Sequence, residues 1–132
     1  MTSNETLTPH GWKRGKGYSH GIAATGRMVF VAGQVGWDEA ERFESHDFVD
    51  QLRQALVNTK AILAEAGCGP EHVVRMTWFI VDKHEYLSRL DDVGAAYRHV
   101  MGKSYPAMSV VVVAGLIEDG ALLEIETTAV GP

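Results

Sequence analysis

Apolar and small residues recur at spacings of three and four between residues 47 and 66, where Phe48, Leu52, Ala55, Leu56, Thr59, Ile62, Leu63 and Ala66 share one side of a helix. Ser45 or Asp47 can cap its start, Gly67 can close its end, and Gly69-Pro70 prevents continuation. A second stripe of Tyr86, Leu90, Val93, Gly94, Tyr97, Val100 and Met101 predicts another helix, preceded by the capping-box pattern Asp82-Lys83-His84-Glu85. Between them, residues 73–81 are β-branched and aromatic, with a length that suits a strand. Residues 18–24 and 28–34 flank Thr25-Gly26-Arg27 and read as a β-hairpin. Residues 109–113 and 121–129 read as strands on either side of the turn Glu118-Asp119-Gly120. The order ββαβαββ predicts an α/β (α+β) domain whose mixed sheet combines parallel crossovers with antiparallel pairs.

The central strand changes that picture. Val74, Met76, Trp78 and Ile80 alternate with Thr77, Phe79 and Val81, so both of its faces ask for burial. Two helices cover one face of such a sheet. The other is left as an apolar patch that self-association would remove. On the last strand, Leu123, Ile125 and Thr127 are expected under the helices and Glu124 and Glu126 on the opposite face. Two carboxylates there could divide acid and base roles, or be solvated or paired with a basic residue.

The chain has 132 residues, 45% of them hydrophobic and 22% charged, which bounds the expectation to one ordinary globular domain. A net charge of −5 argues against a surface built for nucleic-acid phosphates. The polar segment 1–16 reads as an N-terminal arm and 17–132 as the domain. No signal peptide or membrane span is expected, and the single Cys68 suits a cytoplasmic protein without disulfides. Cys68 follows a helix C-terminus, where the dipole disfavours a thiolate. The histidines at 10, 20, 46, 72, 84 and 99 show no metal-ligand pairing, so no metal is expected. Lys13, Arg14 and Lys16 beside Trp12 read as a solvated terminus rather than a nucleic-acid arm, and Gly15-Lys16-Gly17 lacks the context of a phosphate loop. His20 could serve as an acid or base or as a hydrogen-bonded structural histidine.

Several segments together resemble the reactive intermediate deaminase (Rid, or YjgF-type) superfamily. They are Gly17-Tyr18-Ser19-His20-Gly21, Val29-Phe30-Val31-Ala32-Gly33-Gln34, Gln51 to Asn58, Val73 to Asp82 and Pro106 to Ala129. The resemblance covers almost everything after Lys16. It implies a chorismate-mutase-like fold, a homotrimer whose sheets form a central barrel, and small-molecule clefts between subunits, with no cofactor. It also implies substrate contacts from Tyr18, Ala32, Gly33 and Met108, and a catalytic, water-orienting role for Glu124. Three positions depart from the deaminating branch: Met108 stands where an arginine clamps the substrate carboxylate, Ala32 where serine is frequent, and Gly94 where asparagine is frequent. A thioether makes no charge-assisted bond to a carboxylate, and losing such a bond costs about 1.5–3 kcal/mol.

Three functions are therefore expected in order. The first is a hydrolytic deaminase acting on a small enamine or imine that the usual clamp does not hold. The second is a non-catalytic trimeric protein that binds or senses a small apolar metabolite. The third, ribonuclease or translation-inhibitor activity, rests on family labels alone.

Overall fold

The strand latest in sequence is central to the sheet. In the computed structural model, which describes residues 4–132, β6 (Leu123–Gly131) lies between β3 (Arg27–Val35) and β4 (Val73–Ile80) and pairs antiparallel with both. The edge strand β5 (Ala107–Val112) runs parallel to β4, giving the order β3-β6-β4-β5 in a mixed sheet. β5 and β6 follow one another in the chain but do not pair, because β4 separates them.

The hairpin expected across Thr25-Gly26-Arg27 does not form. β2 (Gly21–Ala23) instead pairs antiparallel with β1 (Glu5–Leu7), and β3 turns away to join β6. β1 is exposed throughout, so no apolar alternation marks it. Residues 1–3 of the expected arm lie outside the described ones.

α1 (Phe48–Glu65) begins at Asp47, whose side chain accepts from the Asp50 N–H at 3.0 Å. It closes at Gly67 (φ 70°) by bonds from Gly67 N–H to Ala64 O and Cys68 N–H to Leu63 O, both 3.0 Å. The second stripe is two helices, α2 (Lys83–Ser88) and α3 (Leu90–Met101), broken at Arg89. That arginine forms ion pairs with Asp47 of the α1 cap, Glu85 and Asp92. The Arg89 guanidinium holds the Asp47 carboxyl below its usual range. The break turns Leu90 outward, and it is 50% exposed rather than part of the buried stripe.

The helices cover one sheet face, where Met76, Trp78, Ile80, Leu123 and Ile125 pack beneath Leu52, Leu56 and Tyr97. A register irregularity at Val73–Arg75 makes Val73 the buried residue in place of Val74. Gln51 is buried and ties α1 to the loop before β6, its amide donating to Ser45 O and Gly120 O and accepting from the Leu122 N–H. Just past β3 the chain runs so close beneath α1 that a Cβ at Gly36 would meet Gln51 Cα at 2.6 Å.

The uncovered face is mixed rather than uniformly apolar. Register places Phe30 beside Thr128, Glu126 beside Thr77, and Glu124 beside Phe79, which in turn neighbours Val111. Phe30, 72% exposed, and Met28, 58% exposed, concentrate its apolar surface on β3. No helix among the described residues is long and apolar enough to cross a membrane.

Candidate functional site

Glu124 and Glu126 face away from the helices, because Leu123, Ile125 and Thr127 between and beside them are buried. Opposite them β3 is irregular. Val31 pairs with Thr127 but Gln34 with Ile125, so Ala32 and Gly33 form a bulge with one extra residue. The Glu124 side chain lies over Gly33, where a Cβ would stand 2.7 Å from Glu124 Cδ. Glycine is what leaves room for the carboxylate. Glu124 is half-buried, and neither it nor the exposed Glu126 has a hydrogen-bond or ion-pair partner among the described residues.

Tyr18 and Met108 both lie by the β5 edge of the sheet, although they line different cavities. Ser19 bridges Ala107, its N–H donates to Pro106 O at 2.9 Å, and its hydroxyl donates to Tyr105 O at 2.5 Å. These bonds fix Tyr18 beside the start of β5. Met108 pairs in register with the fully buried Met76 and packs against the helix-side core. Within one chain, then, the structure gathers the expected residues into two groups: Ala32, Gly33 and Glu124 on the open face, and Tyr18 and Met108 at the β5 edge. It does not bring the groups together.

His20 is held structurally. Its Nε2–H donates to Lys13 O at 2.7 Å, and its ring is edge-on to both Trp12 and Tyr18. Among the described residues, no three His, Cys, Asp or Glu side chains cluster as for a metal ion.

The sequence reading missed the cavity beside Met108, which has a volume of about 400 Å³. Trp78, Tyr97 and Tyr105 form an aromatic wall, with ring centroids 6.2 Å apart for the first pair and a stacked 5.6 Å for the second. The Tyr97 hydroxyl donates to Ser104 O, and burial pushes its pKa up, so it stays a neutral phenol. Trp78 Nε1 is buried with no acceptor. At the mouth stand Lys16, Asp91 and Arg98, with Gly94 among the lining residues. A Cβ at Gly94 would meet Arg98 Nη1 at 3.1 Å, so the guanidinium packs closely over the bare glycine. The four-residue spacing of Gly94 and Arg98 is the signal that could have revealed this, since it puts both on one helix face.

Comparison with known proteins agrees with this architecture. The family model described as Endoribonuclease L-PSP matches residues 12–131. A RutC family protein of Pyrococcus horikoshii is 37% identical over 113 residues, 85% of each chain. A 2-iminobutanoate/2-iminopropanoate deaminase of Capra hircus is 35% identical over 80% of this chain and 75% of its own. A Rid-family protein of unknown function from Yersinia pestis superposes with a TM-score of 0.86 at 29% identity, covering 96% of this chain and 98% of the other. With its motifs, fold and relatives in accord, the chain belongs to the Endoribonuclease L-PSP family, the Rid or YjgF-type superfamily.

Proposed function

We propose that the chain is a hydrolytic imine or enamine deaminase that works as a homotrimer, with each site shared between two copies. The observation that carries this reading is the division of the site residues. Glu124 sits unpartnered over Gly33 on the open sheet face, while Tyr18 and Met108 lie at the opposite edge, so a cleft holding all of them needs a second copy. The relatives named as 2-iminobutanoate/2-iminopropanoate deaminases support the same chemistry.

In this mechanism Glu124 accepts a proton from water as its oxygen adds to the C=N carbon. Glu124 returns that proton to the nitrogen, and transfer of the carbinolamine hydroxyl proton to the amine then releases ammonia and leaves a carbonyl. An enamine first takes a proton at carbon and gives one up from nitrogen to become the imine. Tyr18 shapes the cleft, the Ala32-Gly33 bulge gives the Glu124 carboxylate its space, and Met108 supplies an apolar wall where an arginine would have bound a carboxylate.

Ammonia release from freshly generated 2-iminobutyrate tests the reading. The natural chain should exceed the spontaneous rate, and Met108→Arg should raise kcat/KM for this small substrate by about tenfold or more. No acceleration by either protein would overturn it. The partly buried Met108 also favours a second reading, a non-catalytic trimer that binds an apolar metabolite, which predicts ligand binding without turnover.

Assembly has its own test. Phe30 is 72% exposed on the uncovered face, and Phe30→Asp would place a carboxylate there. Sedimentation should give three copies for the natural chain and a smaller species for the variant; a monomeric natural chain would refute the shared site.

A further inference from the structure

Met108, after Pro106-Ala107, offers no cation, yet the cavity beside it has one. Arg98 projects from α3 over Gly94, the position whose missing side chain makes room for it, and lines the same cavity as Met108. No hydrogen bond or ion pair occupies its guanidinium among the described residues. Of the other arginines, Arg42, Arg53 and Arg89 pair with carboxylates and Arg27 donates to Ala66 O, while Arg14 and Arg75, also without a partner among the described residues, lie outside this cavity. Arg98 is an open fork at the mouth of a cavity whose wall is aromatic.

We propose that Arg98 is the carboxylate-binding group of this cleft, transferred from the strand to the helix, and that the ligand is a 2-imino or 2-oxo acid with a bulky apolar or aromatic side chain. The substrate class rests on the deaminase reading above; the binding site does not. Three features shape this specificity. A guanidinium makes two parallel bonds to a carboxylate. Trp78, Tyr97, Tyr105 and Met108 give an aromatic and apolar lining to a cavity of about 400 Å³, far more room than a two-carbon side chain fills. Lys16 at the mouth adds a second positive charge, while Asp91, the carboxylate there, disfavours a dianionic ligand.

Equilibrium titration of the intact protein with phenylpyruvate, its methyl ester and 2-oxobutyrate tests the site without turnover. Phenylpyruvate should bind at least about tenfold more tightly than either the ester or 2-oxobutyrate. Arg98→Ala should remove the preference for acid over ester while leaving ester affinity unchanged, and Arg98→Lys should restore part of it. Gly94→Asn should displace the guanidinium and act like Arg98→Ala. Trp78→Phe should weaken phenylpyruvate and its ester alike. Equal affinities for acid and ester, or an Arg98→Ala variant that keeps the preference, would overturn the proposal. Phenylpyruvate binding through Arg98, with no ammonia released from the corresponding 2-imino acid, would instead sink the deaminase reading and leave the site standing.

Discussion

Glu124→Ala should lower kcat for ammonia release by about 100-fold or more, the scale of losing a positioned general base, with a smaller change in KM. Gly33→Ala should do nearly the same from the opposite strand. Its new Cβ would stand 2.7 Å from Glu124 Cδ, so the carboxylate must swing out of place although no chemical group has been removed. Ala32 and Gly33 are exposed, and the unfolding midpoint of Gly33→Ala should stay close to that of the natural chain. Glu126→Ala provides the control, since Glu126 is exposed beside Thr77 and lies two residues along the same face. Steady-state ammonia assays on the three variants check this. Full activity in Glu124→Ala would remove the glutamate from the mechanism.

The largest stability effect is expected at Gly36→Ala. Here the obstacle is backbone: the added carbon would lie 2.5 Å from Gln51 O and 2.6 Å from Gln51 Cα, and neither can rotate away. Relief requires α1 to lift from the end of β3. That movement strains the Gln51 amide, which bonds Ser45 O, Gly120 O and the Leu122 N–H. Overpacking of this kind costs about 3 kcal/mol or more, a sizeable part of the roughly 5–15 kcal/mol that holds a domain folded. Thermal unfolding should show a midpoint about 10 °C or more below that of the natural chain. Gln51→Leu removes the bonds without the clash and separates the two contributions.

What the sequence revealed and concealed follows from how far each signal reaches. The ends of α1 depend on neighbours, so Gly67 and a cap at Ser45 or Asp47 could be recognised from spacing alone, and the structure uses Asp47. The inward set Leu123, Ile125 and Thr127 was likewise legible, because alternation over one strand is local. Strand partners are not local. β2 was assigned to β3 because they are neighbours in the chain, whereas its actual partner, Glu5–Leu7, is polar and exposed and carries no apolar pattern. The irregularities at Val73–Arg75 and Val31–Gln34 depend on what lies across the ladder, so the face presented by Val74 and the bulge under Glu124 were invisible.

The site divides the same way. Glu124, Gly33 and Met108 could be named from motifs, and alternation put Glu124 on the face away from the helices, but the separation of Met108 from it across the sheet could not be read. Arg98 went unnoticed because its significance lies in what surrounds it in space: it packs over Gly94 and lines the cavity beside Met108.

The order β3-β6-β4-β5 also governs how the molecule can be made. On a ribosome, α1, β4, the following helices and β5 emerge before the strand that joins β3 to β4. Until Leu123–Gly131 follows, β3 and β4 each present a row of unsatisfied backbone donors and acceptors toward the same vacant slot. The nascent chain can dock its helices early, but it cannot close its sheet, and that open slot is the stage at which it is most exposed to pairing with a neighbouring chain.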